Sequence, residues 1–166
     1  IADTFGPSKR RGYCGHEEIE LALIRLADLT DTLRYRKLAH WMITERGRRP
    51  SPFQPEFDDA EAIALSPHAK SLYLKDGDYS GEYAQDHAPI TDHSAVVGHA
   101  VRAMYLYIAA TDLAADSGDD AISNALASAW SNLVERRMYI TGGIGPSGDN
   151  EGFTVDYDLP NHTAYA

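Results

Sequence analysis

Hydrophobic positions recur at helical spacing in four stretches of the chain. Between Glu17 and Leu29, the residues Ile19, Ala22, Leu23 and Leu26 fall on one helix face. Thr30-Asp31-Thr32 interrupts that pattern and can cap a second helix, Leu33 to Glu45. This helix has Leu38, Trp41 and Met42 on one side and Gly47 just past its end. A third, Ser94 to Asp116, is apolar almost all round, with Val97, Val101, Met104 and Ile108 on one face and Ala103, Leu106 and Ala110 on another. Such a helix expects cover on several sides. The fourth, Asp120 to Met138, carries a single stripe of Ile122, Leu126, Ala129, Leu133 and Val134. Trp41 and Trp130, one on each second helix, are assigned to the core. The proline-rich stretch Arg48 to Thr91 reads as a long irregular connection. It has room for short helices at Ala60–Leu65 and Ala69–Lys75.

The four helices make two similar hairpins. Each begins with Gly-His, at Gly15-His16 and Gly98-His99, and each pairs an enclosed helix with a half-exposed one. Repeated α-hairpins build double rings or solenoids, so the expected class is all-α. In a double ring the enclosed helices all start at one end, and His16 and His99 would meet there. Both histidines have two readings: hydrogen-bonding a ligand, or capping and packing a helix start.

Composition narrows the function. The 166 residues carry a net charge of −10, so no basic face is available for nucleic acid. Lys9-Arg10-Arg11 is too short to change that. No apolar run reaches membrane-spanning length. Ten tyrosines and two tryptophans suit sugar platforms and a core equally well. The single cysteine, Cys14, allows no intrachain disulfide, and the start does not resemble a leader; both lead to a cytoplasmic expectation.

The candidate chemistry lies after the fourth helix, in "TGGIGPSGDNEGFTVDYDLPN". Its glycines and proline exclude regular helix, and it lacks the lysine and the strand-to-helix setting of a phosphate loop. Glu151 sits near the tip, and catalytic groups commonly stand on such loops. A glycosidase needs a carboxylic acid to protonate the leaving oxygen and a carboxylate to activate water. Asp156 and Asp158 are near in sequence, and the favoured reading of both is structural. His87 is read as adjacent to the site, His162 as exposed, and Tyr13 as either a sugar platform or a wedge at the helix start.

The blocks "YCGHEEIELALIRL", "YAQDHAPI", "VVGHAVRAMYLY", "MYITGGIG" and "NEGFT…DYDLPN…TAYA" resemble, in that order, the signature of glycoside hydrolase family 127, the β-L-arabinofuranosidase-like proteins. The resemblance runs from Tyr13 to Ala166. It implies an (α/α)6 barrel, with residues 1–166 as an internal piece of one catalytic domain cut at both ends. It implies a retaining glycosidase whose nucleophile is a zinc-bound cysteine, with Glu151 as the general acid/base and His16 and His99 contacting the sugar. In the family the signature continues past this point with Glu-Thr-Cys, where the zinc ligands begin. Zinc is therefore expected in the longer protein, with no ligand in this stretch, and Cys14 lies in a different block from the nucleophile.

The expected partner is a carbohydrate of the arabinofuranoside type. Two hairpins of a six-hairpin ring would leave apolar flanks, so self-association of the isolated chain is also expected. Two other classes fit parts of the sequence. A sugar epimerase on an α/α barrel would use the paired histidines, and a helical-repeat scaffold would use only the repeat.

Overall fold

The computed structural model describes residues 1–59 and 67–164. The short helix expected at Ala60–Leu65 lies outside them. Six α-helices are found among the described residues, with a single 3-10 turn at Ile90–Asp92: α1 (Glu18–Thr30), α2 (Leu33–Glu45), α3 (Gln54–Asp58), α4 (Pro67–Tyr73), α5 (Ala100–Ser117) and α6 (Asp120–Arg136). The only paired strands among them are the two-residue β1 (Leu74–Lys75) and β2 (Asp78–Tyr79).

Helix α1 packs on α2, α5 packs on α6, and α1 and α5 lie against each other. Ion pairs show that α1 and α5 run the same way. Arg25 meets Asp112 at 2.8 Å, and further along Arg36 bridges Asp28 of α1 to Asp116 of α5. Ile24, Leu38, Met42, Ile43, Leu106, Ala109, Ala110, Leu113 and Ile122 fill the space between the hairpins. This is the expected inner pair flanked by outer helices, and it fits part of an (α/α)6 barrel.

Several local expectations change. Helix α5 starts at Ala100 rather than Ser94. Gly98 takes φ +70°, and a Cβ there would meet the Glu82 carbonyl oxygen at 1.9 Å. The chain before it is not helical, so its apolar residues do not belong to the helix. Helix α6 ends at Arg136 rather than Met138. Asp119 caps that helix, accepting from the backbone N–H groups of Ala121 and Ile122 at 3.0 and 3.1 Å. Thr32 precedes α2 but makes no side-chain cap; its hydroxyl turns back to the Thr30 carbonyl. The helix expected at Ala69–Lys75 becomes α4 followed by a hairpin. Asp76 and Gly77 both have positive φ there, the geometry of a two-residue turn of the Asp-Gly kind.

Helix α5 is covered by α1, α2 and α6, as its pattern expects, but not all the way round. Ala103, Leu106 and Ala110 are buried, but Ile108 is 46 % exposed. Trp130, expected in the core, is 62 % exposed and lines an open groove with Met104, Ile108, Leu126 and Leu133. Trp41 is half-buried against the core as expected.

Beneath the starts of α1 and α5 lies a polar core. Arg46, at the end of α2, is fully buried and meets Glu17 at 3.2 Å and Glu20 at 2.9 Å. It donates to the carbonyls of Ala84 and Cys14 at 2.9 and 2.7 Å and lies over the Tyr13 ring at 4.6 Å. Nearby, the buried Asp86 carboxylate accepts from the Tyr13 hydroxyl (2.5 Å), the Gly47 N–H (2.7 Å), the Ser51 hydroxyl (2.5 Å) and the Tyr79 hydroxyl (3.0 Å). These two centres fix Tyr13 as a structural residue, which settles its two readings in favour of the wedge.

Burial pushes the Glu17 carboxyl up to about 7, against the pull of Arg46. Between about 4.5 and 7 the folded chain thus holds a proton that the unfolded chain has lost, so this group's contribution to stability falls as pH rises through that window. Glu17→Gln removes that dependence. Its stability relative to wild type should rise from pH 4.5 to pH 7 and then level off; thermal unfolding at pH 5 and pH 8 checks this, and equal differences at both would refute it. Arg46→Met leaves two carboxylates without their counter-charge and should cost roughly 3–5 kcal/mol in chemical denaturation. The open groove predicts association: chain 1–166 should sediment as oligomers, and Ile108→Glu with Trp130→Glu should shift it toward monomer at unchanged helical circular dichroism.

Candidate active site

Three backbone segments meet at the start of α5. The His99 N–H donates to the Tyr83 carbonyl at 3.2 Å, the Phe153 N–H to the Gly98 carbonyl at 2.8 Å, and the Ala100 N–H to the Glu151 carbonyl at 3.1 Å. Gly152 sits where these segments touch; a Cβ on it would lie 1.9 Å from the Gly98 carbonyl oxygen. Gln85 is buried beneath them, and its amide donates to the Val97 carbonyl at 2.9 Å and the His99 carbonyl at 3.3 Å.

The loop after α6 is fastened at its far end by Asp156. That carboxylate accepts from Arg137 at 2.7 Å and from Arg136 and Asn132 at 3.1 Å each. These donors hold it well down, to about 2. Arg137 also donates to the Val96 carbonyl at 2.5 Å, so one guanidinium grips the loop and the segment leading to His99. Asp156 is therefore a fastener, as the structural reading of it expected. Asp158 is exposed.

Glu151 stands on that loop with φ +50°, and its side chain is 45 % exposed. Its Oε2 lies 2.8 Å from His99 Nε2. His99 caps α5, its Nδ1 accepting the Arg102 N–H at 3.4 Å. With Nδ1 accepting, Nε2 carries the proton and donates to the Glu151 carboxylate. Burial lowers the His99 proton affinity, and the neighbouring Arg102 and His16 lower it further, while the bond to Glu151 opposes them. A neutral imidazole matters here. An imidazolium at this distance would hold Glu151 ionised, whereas a neutral donor leaves it able to take up a proton.

His16 precedes α1, partly exposed, with its ring 5.5 Å from that of Tyr105. Arg102, in the first turn of α5, donates to the Gly15 carbonyl at 2.6 Å, which brings the His16 and His99 segments to the same end of the helix pair. His87 makes its contacts elsewhere. Its ring stacks on His93 at 4.4 Å, and His93 in turn meets Tyr107 and the Ala88 carbonyl. Burial lowers the His87 proton affinity and pushes His93 down to about 4. The pair is thus a neutral packed stack. His162 is exposed, as expected. Arg102, Gln85, Arg46 and Arg137 were not singled out in the sequence. Each acts on carbonyls or charges far along the chain, and no local spacing signals that.

Among the described residues no group of three or more His, Cys, Asp or Glu side chains converges as a metal site. Cys14 is an exposed free thiol whose Sγ accepts the His16 N–H at 3.4 Å. These residues do not fit a zinc centre of their own.

Residues 1–166 match the model of the β-L-arabinofuranosidase, GH127 catalytic domain. Over 164 residues the chain is 37 % identical to a non-reducing end β-L-arabinofuranosidase of Bifidobacterium longum, covering 98 % of this chain and 24 % of that protein. A crystal structure of a GH127 β-L-arabinofuranosidase from Geobacillus stearothermophilus T6 superposes with a TM-score of 0.80 at 39 % identity, over 98 % of this chain and 25 % of that one. A second GH127 β-arabinofuranosidase gives 0.74 at 31 % identity, over 98 % and 22 %. The chain thus spans about a quarter of the length of the relatives it matches. Two packed hairpins, a carboxylate–histidine pair at their common end and a match along the whole sequence agree, and the chain belongs to the GH127 catalytic-domain family of β-L-arabinofuranosidases.

Proposed function

We propose that these residues form the proton-transfer side of a retaining β-L-arabinofuranosidase site. Glu151 is the general acid that protonates the leaving oxygen and then the base that activates water. His99 orients it and, with His16, hydrogen-bonds sugar hydroxyls. The observation that supports this best is the 2.8 Å contact between Glu151 Oε2 and His99 Nε2 on a carboxylate left partly open to solvent. The neutral donor permits both protonation states that a retaining cycle needs.

The nucleophile is assigned to a zinc-bound cysteine outside residues 1–166, on the family resemblance. Zinc would keep such a thiol ionised. This stretch contributes proton transfer and sugar binding. His87 is left out of the sugar contacts, because its ring is committed to His93. The epimerase reading asks two histidines to work on one carbon from opposite faces. Here His99 is engaged with Glu151 instead, and no observation favours that reading or a scaffold.

Glu151→Gln, made in the longest natural chain containing these residues, should fold normally and lose about 10²–10⁴-fold in kcat/KM on alkyl β-L-arabinofuranosides. Aryl glycosides with good leaving groups should lose far less at the first step, since they depart without protonation. Equal losses on both substrate types would refute the acid role.

A further inference from the structure

Arg102 is the one cation in direct contact with both histidine-bearing segments among the described residues. Its Nη1 donates to the Gly15 carbonyl at 2.6 Å, one residue before His16, and lies 3.2 Å from the Tyr73 hydroxyl. Its guanidinium stands 4.7 Å over the Tyr83 ring, and that ring meets His99 edge-on at 5.5 Å. Its backbone N–H donates to His99 Nδ1, which caps the helix. The side chain is partly buried, and its Nε has no partner among the described residues.

We propose that Arg102 is the positioning residue of this site: its side chain clamps the His16 loop to the first turn of α5 and backs the Tyr83 ring that holds His99 toward Glu151. It acts through its neighbours, the Gly15 carbonyl and the Tyr83 ring. The clamp links positions 87 residues apart and so ties the segment before His16 to the helix that His99 caps. Its positive charge also stands beside His99. The charged and titratable groups facing that imidazole are Arg102 from α5, Glu151 from the terminal loop, His16 from the segment before α1, and Tyr83 from the segment after β2. Of these only Glu151 favours a second proton on His99, and Arg102 is a permanent charge that opposes it. Losing Arg102 would therefore loosen the His16 segment and remove one of the charges that oppose a second proton on His99, with burial, the larger cause, still in place.

The kinetic part rests on the acid role of Glu151; the placement of His99 does not. The test compares Arg102→Met, Arg102→Lys and the control Arg25→Met, which breaks the α1–α5 ion pair with Asp112 away from the site. All are made in the longest natural chain containing these residues. Histidine side-chain NMR follows the titration of His99, and kinetics follow an alkyl β-L-arabinofuranoside. Arg102→Met should raise the midpoint of His99 and lower kcat/KM about 10²-fold, the scale of a misplaced catalytic group, with most of the loss in kcat. Arg102→Lys should recover part of that loss, and Arg25→Met should change neither readout. Unchanged His99 titration in folded Arg102→Met would overturn the proposal, as would an activity loss that only tracks the folded fraction. Should Arg102→Met fail to fold, the uncharged Arg102→Gln decides: an unchanged His99 midpoint together with full kcat would overturn it. A displaced His99 midpoint in a protein where Glu151→Gln is harmless would keep the positioning role and remove only the acid/base assignment.

Discussion

One buried guanidinium with two buried carboxylates sets the frame for everything above it. Arg46 gathers Glu20 from α1, Glu17 at its N-cap, the Cys14 carbonyl from the segment before it and the Ala84 carbonyl from the stretch leading to Gln85 and Asp86. Two carboxylates around one cation leave an excess negative charge in a dry interior, and a proton on Glu17 is the cheapest remedy. Such a group adds little net stability compared with an apolar filling. It does set geometry: a guanidinium has few orientations that meet four oxygens at once. The site rests on segments that converge on this centre and on Asp86 beside it.

Helices α1, α2 and α6 were legible because each buries one stripe, and a stripe at helical period is a local signal. The start of α5 was not legible. Val96 and Val97 fit the helical period, but Gly98 adopts a left-handed conformation and the backbone around it bonds to Tyr83 and Phe153. Pattern alone does not report a partner 55 residues away, as Phe153 is from Gly98. The β1–β2 hairpin was missed although its Asp-Gly pair carries the signal, because the surrounding prolines suggested irregular chain. Trp130 was misplaced for another reason. Its position on the stripe side of α6 implies burial, but the surface it faces is an open groove among the described residues.

The site divides in the same way. His16 and His99 were read from the repeated Gly-His of the hairpins and Glu151 from its glycine-rich loop, the family motifs supplied their roles, and the structure brings the three segments to the starts of α1 and α5. Asp156 was correctly set aside, since three donors from the end of α6 occupy it. His87 shared a motif block with its neighbours, yet its ring turns to His93. The residues that organise the site, Arg102, Gln85 and Arg137, were silent in the sequence because each works through distant carbonyl groups.

Fastening the terminal loop at several points decides where it can change length. From Ser147 onward it is bound at nearly every residue: Ser147 pairs with Gly152, Phe153 with Gly98, and Asp156 with the end of α6. An inserted residue in that part would rotate Glu151 out of reach of His99 or break the contact between Gly98 and Gly152, where no Cβ fits. Between Tyr139 and Pro146 the chain turns on itself, through bonds from Tyr139 to Gly143 and from Gly142 to Tyr139. An extension of this loop is therefore expected to fit only at the exposed tip of that earlier turn, residues 140–142, because Ile144 packs on the apolar cluster and Gly145 and Pro146 are buried.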